Sequence, residues 1–188
     1  MAFAPLSLKA RALRLLALRE HSRAELQSKL ARHVQEGDDL PALLDQLQAK
    51  GFIDETRVAE SHVHRRSARL GVQRLAQELR HKGLDEALVR AQVQVLRTTE
   101  FERAQAVWQR RFSAAPNSPE ERARQMRFLA ARGFDSQAIG QVLRAAARLY
   151  HDLTQILRLC VSEKFNPATA GEALLRVMAR AGDTPDFS

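Results

Sequence analysis

Apolar residues recur every three or four positions along most of this chain, with polar residues filling the gaps. That period is helical, and no stretch alternates with a period of two over β-branched residues. Nine helices are expected. The first spans about Leu6–Glu20, with Ala12, Leu15, Leu16 and Ala17 inward. The second opens on Ser22-Arg23-Ala24-Glu25, a capping box whose hydroxyl and carboxylate satisfy first-turn amides reciprocally, and runs to about His33. An acidic loop, Gln35–Asp39, leads to a third helix over Leu40–Lys50. Gly51-Phe52-Ile53-Asp54 ends it and caps a fourth, about Glu55–Leu70, with Val58, Ala59, His62 and Val63 on one face.

A fifth helix, Val72–Lys82, places Leu75 and Leu79 on an apolar edge. Gly83-Leu84-Asp85 turns the chain into a sixth, to about Arg97, with Leu88, Val89, Ala91, Val95 and Leu96 inside. The seventh, Thr99–Phe112, carries Phe101, Ala104, Val107, Trp108 and Phe112. Ser118-Pro119-Glu120-Glu121 forms a second capping box, with proline where its missing donor is harmless. The eighth helix then carries Ala123, Met126, Phe128 and Leu129 to about Arg132, and Gly133-Phe134-Asp135 leads into a ninth with Ile139, Val142 and Leu143.

The two corners match. Leu79–Val89 parallels Leu129–Ile139 around Lys82-Gly83-Leu84-Asp85 and Arg132-Gly133-Phe134-Asp135. A unit of three helices in about 45 residues is therefore used three times, the first copy loosened by its longer acidic loop. The expected organisation is all-α: three-helix repeats at 6–54, 55–97 and 98–145, then an appended helical tail at 146–188 with a helix over 168–181. Units this small are marginal alone and stack on their neighbours, which gives an elongated body rather than a ball.

Charge changes the picture. The 188 residues carry 30 Lys and Arg against 22 Asp and Glu, a formal net charge of +8, which points to a polyanionic partner or an acidic protein surface. The stretch Arg65–Asp85 concentrates it, with six Arg or Lys against one Glu. That run either meets phosphates or is a solvated helix face. Aromatics to stack bases are scarce near it, so any contact with single-stranded DNA is expected to be weak, electrostatic and non-specific.

Catalytic chemistry finds no frame. His62 and His64 lie two apart on a helix and point to different sides, which suits one inward and one solvated histidine better than a shared metal. Cys160, the single cysteine, excludes an internal disulfide and sits in an apolar stretch that suits a buried, inert thiol. Glu55, Glu60, Glu78 and Asp85 suit caps and surface ion pairs. No glycine-rich phosphate loop is present. A non-enzymatic protein without cofactor or metal is expected. No apolar run approaches the roughly 20 residues a membrane span needs, so a cytoplasmic monomer without membrane association is the expectation.

Several of these motifs occur together in one family. Ser22-Arg23-Ala24-Glu25-Leu26, Gly51-Phe52-Ile53-Asp54-Glu55-Thr56-Arg57-Val58-Ala59, the Gly71-x-x-Arg74-x-x-x-Glu78-Leu79-x-x-Lys82-Gly83-Leu84 run and the Arg132-Gly133-Phe134 corner resemble RecX, the bacterial regulator of RecA, over about residues 8–144. The resemblance implies tandem three-helix units forming a curved rod that binds the RecA–single-stranded DNA filament and damps its recombinase and coprotease activity. The candidate contacts to filament or DNA are Arg57, Arg65, Arg66, Arg69, Arg74, Arg80, Lys82 and Arg90, with Arg97 a further basic residue on the same units. The tail resembles the C-terminal helical end of glutamine-synthetase adenylyltransferases, without their nucleotidyl-transfer domain, so no activity is carried over. Two other readings stay open. One is a stand-alone DNA-binding protein with a helix-turn-helix in Val72–Arg97, and the other is a regulator related to those transferases.

Overall fold

The computed structural model describes residues 6–160, with side chains to 156. All regular structure among the described residues is helical: α1 (Leu8–Leu18), α2 (Arg23–Leu30, extended by a 3-10 turn Ala31–His33), α3 (Leu40–Ala49), α4 (Glu55–Arg66), α5 (Val72–His81), α6 (Glu86–Thr98), α7 (Glu100–Gln109), α8 (Pro119–Ala130) and α9 (Ser136–Cys160). The helix expected over 168–181 and the Cys160 side chain lie outside the described residues.

Local caps set most boundaries. The Ser22 box closes in both directions: the Glu25 amide donates to the Ser22 hydroxyl at 3.1 Å, and the Ser22 amide donates to the Glu25 carboxylate at 3.1 Å. Asp39, Asp54 and Asp135 each accept an amide three residues on, at 2.7–3.0 Å. The second box closes only halfway. Ser118 accepts from the Glu121 amide, but Glu121 takes the amide of Asn117 rather than that of the cap.

Each group of three helices builds its own core. Leu26, Leu30, Leu44 and Ile53 are buried between α1, α2 and α3. Val58, Leu75, Leu79 and Val89 fill the middle of α4–α6. Trp108, Leu129, Phe134 and Val142 fill that of α7–α9, where Phe112 stacks edge-on against Phe128 with ring centroids 5.1 Å apart.

The structure corrects several inward assignments. α1 is shorter than expected and buries Leu8 and Ala12, while Ala17 and Leu18 face solvent because nothing among the described residues packs over the helix's last turn. α6 buries only Val89 and Leu96, two turns apart, and its neighbours leave Ala91 outside and Val95 68% exposed. On α8 the inward position belongs to Gln125, not to the exposed Met126, because the Gln125 side chain accepts the Trp108 indole N–H at 2.7 Å. α9 runs 25 residues, so the boundary expected at 145/146 falls inside a continuous helix.

Candidate nucleic-acid interface

The eight candidate basic residues divide by what their side chains touch. Arg57 is spent on its own corner, bonding Glu20, Asp54 and the Gly51 carbonyl. Arg66 grips Glu78 with a 2.6 Å bond, and Arg74 approaches the same carboxylate at 3.6 Å. His62 completes that cluster, its Nε2 lying 2.8 Å from Glu78. Burial would raise the Glu78 carboxyl, but the bonds to Arg66 and His62 outweigh it and hold it below its ordinary range. The same burial lowers His62, against the opposing pull of Glu78. Arg80 forms a two-pronged pair with Glu86 at 2.7 and 2.8 Å.

Lys82 is set apart. Its side chain is 13% exposed and its ammonium meets Glu25 at 2.7 Å. Burial alone would raise the Glu25 carboxyl; bonds from Lys82, Arg19 and the Ser22 amide overcome that and hold it at about 2. That leaves Arg65, Arg69 and Arg90, which are exposed and form no ion pair among the described residues. Arg65 bonds only a carbonyl one turn back, that of Ser61.

The reason Lys82 is buried is a joint between units. The Ser22 hydroxyl donates to the Lys82 carbonyl, and a Cβ on Gly83 would collide with that of Ala24. The corner after α5 therefore docks on the first turn of α2. The corner after α8 repeats the arrangement on α5. The amides of Gly71 and Gln73 donate to the carbonyls of Arg132 and Gly133 at 2.9 and 3.0 Å, and a Cβ on Gly71 would strike the backbone of Gly133 and Phe134. Gly37, on the turn after α2, has open space around it, so that corner forms no comparable joint among the described residues.

Two residues with no motif around them complete the second joint. Glu100, fully buried, caps α5 by accepting the Val72 amide at 2.9 Å, and it also accepts the Asp135 amide at 3.3 Å. Burial pushes its carboxyl up, the Val72 bond opposes this, and the neighbouring Asp135 carboxylate adds to the rise. Arg103 donates to the carbonyls of Ser67, Leu70 and Leu96, gathering the C-terminal ends of α4 and α6. The only sequence signal for either is a charge at an inward helical position.

Beside this joint lies an open groove of about 710 Å³ between the α6–α7 turn and α9. Arg97 stands on one wall, and Gln141, Arg144 and Arg148 stand on the other. Phe101 and Glu100 also line it. All three arginines are exposed and none is in an ion pair among the described residues. Among those residues no group of three histidine, cysteine or acidic side chains could hold a metal, and no helix is long and apolar enough to cross a membrane.

Comparison with known proteins bears on the whole body. Family models described as the second and third three-helix domains of RecX match residues 54–91 and 98–143. The chain is 51% identical to regulatory protein RecX of Leptothrix cholodnii over 150 residues, 79% of this chain and 96% of that one. It is 49% identical to regulatory protein RecX of Ralstonia nicotianae, covering 79% of this chain and 93% of the relative. A crystal structure of RecX from Lactobacillus salivarius superposes with a TM-score of 0.65 over 75% of this chain and 95% of that one, at 18% identity, which shows a shared fold. A stretch of 56 residues, 30% of this chain, is 75% identical to the bifunctional glutamine synthetase adenylyltransferase/adenylyl-removing enzyme of Rhodopseudomonas palustris, yet it spans only 6% of that enzyme.

Proposed function

From the premise that the chain belongs to the RecX family of regulatory proteins, we propose that it binds the RecA–single-stranded DNA filament and inhibits its recombinase and coprotease activity. The observation that carries this reading is the repeated joint. The corners at Lys82-Gly83 and Arg132-Gly133 each dock on the unit before, so three small helical units present their arginines from one articulated body. Such a body can touch more than one protomer of a polymer at once, and several weak contacts made together give an avidity none has alone.

Within that reading the contacts fall to side chains the fold leaves free: Arg65, Arg69 and Arg90, with the outer edges of Arg66, Arg74 and Arg80. Arg57 and Lys82 hold the body together instead. Partner recognition is electrostatic, and the protein acts without a cofactor.

The test is RecA's single-stranded-DNA-dependent ATPase, titrated with this protein. Inhibition well below one copy per RecA protomer is expected. Inhibition only at concentrations that saturate the DNA would replace the reading with simple competition by a basic helical DNA-binding protein.

A further inference from the structure

The groove between the α6–α7 turn and α9 gathers unpaired arginines around a concavity, whereas most of the central basic run is paired. In the central run Arg66 and Arg74 share Glu78 and Arg80 holds Glu86. Arg97, Arg144 and Arg148 converge on one concave surface with no carboxylate paired to any of them among the described residues. Two acids, Glu100 and Asp135, also line the groove, and neither forms an ion pair with these arginines. Glu100 is buried, with one oxygen committed to the Val72 and Asp135 amides. Asp135 caps α9 through the Ala138 amide at 2.7 Å.

Arg144 and Arg148 are one turn apart on the same face of α9, about 6 Å along the axis, which is comparable to the reach between neighbouring phosphates on an extended strand. Arg97 faces them from the last turn of α6, and Gln141 adds an amide donor on the α9 wall. Phe101, half-buried in the groove, supplies apolar surface against which an unpaired base or its sugar can pack.

We propose that this groove is a sequence-independent subsite for the phosphodiester backbone of a single strand, with Arg97 on one wall and Arg144 and Arg148 on the other. It deepens the filament reading, on which its biological setting rests, but the binding itself is measured with RecA absent.

The experiment is fluorescence anisotropy of a labelled oligothymidylate with the full chain, across a series of salt concentrations. The triple variant Arg97→Ala, Arg144→Ala, Arg148→Ala is expected to bind about tenfold more weakly or worse, with the log–log salt slope reduced by about 2. The matching lysine variant keeps the charge and should keep the slope. Arg148→Ala alone, on an exposed helix face, should lower the slope by about 0.7 and guards against a folding defect in the triple variant. A duplex of the same length should bind more weakly than the single strand. An unchanged slope in the alanine variants would overturn the proposal. So would an unchanged oligonucleotide affinity accompanied by lost ATPase inhibition, which would assign the groove to a protein surface and leave the filament reading standing. Loss of strand binding with inhibition intact would support the subsite and tell against its role in the filament.

Discussion

The backbone amide of Val72 donates to Glu100 at 2.9 Å, so the first turn of α5 is capped by a side chain from the next three-helix unit. Gly71, at the cap position of α5, has no side chain to do this work, and the carbonyls of Arg132 and Gly133 take the amides on either side. The middle helix of the body is therefore finished at its N-terminus by its neighbour.

Removing Glu100 should expose that dependence. Glu100→Ala leaves the buried Val72 amide and the half-buried Asp135 amide without an acceptor and is expected to destabilise the fold by about 2–3 kcal/mol. Glu100→Gln keeps an acceptor oxygen and should cost less than half as much. Urea unfolding measures both, and amide exchange at residues 71–73 should accelerate in the alanine variant ahead of the rest of α5.

The two joints should respond to acid in opposite senses. The Glu25 carboxyl is held at about 2 against an ordinary 4.5, so its contribution is present above 4.5 and is lost as pH falls from there toward 2. The Glu100 carboxyl is raised, so its contribution is full below 4.5 and is lost as pH rises through its folded value. The stability difference between wild type and Glu25→Gln should shrink below pH 4.5. That between wild type and Glu100→Gln should shift in favour of wild type as pH falls. Denaturation curves across that range test both signs.

Gly133 and Gly51 both have left-handed backbones, with φ of 81° and 72°. Alanine at Gly51 enters open space and should cost only the left-handed strain, about 1–2 kcal/mol. At Gly133 the new Cβ also meets the backbone of Arg74, so the joint must open and the loss should reach about 3 kcal/mol or more. Thermal melts of the two variants separate these costs.

Charge reversal should distinguish free arginines from structural ones. Arg65→Glu with Arg69→Glu touches no ion pair and should change stability by less than about 0.5 kcal/mol while weakening inhibition of the RecA ATPase. Arg66→Glu sets two carboxylates together beside His62 and should destabilise the protein by about 1–2 kcal/mol. Circular dichroism melts run beside the ATPase assay make the comparison.

The helices were legible because their signals are local. Ser22 with Glu25, Asp54, and the corners at Gly83 and Gly133 act within a few residues, so sequence order places them. Faces were legible where a unit packs on both sides, as at Leu75 and Leu79, and misread where one side is bare, as at Ala17 and Val95. Periodicity marks which residues could be covered; it does not say whether anything covers them.

What the sequence determined by itself is the all-helical class, the helix starts and the recurrence of the glycine corner, each fixed by backbone chemistry over a turn or two. What only the tertiary structure decided is how those units are joined and which charges remain to bind. Lys82 belongs to a basic run in sequence, yet its ammonium is neutralised by Glu25, 57 positions away. Glu100 has no motif, yet it holds α5 from 28 positions on. Arg97, Arg144 and Arg148 become neighbours only where α9 lies against the α6–α7 turn. The physical reason is common to all three. Desolvation and Coulomb energy depend on distance in space, and for pairs this far apart in the chain the packing of the units sets that distance.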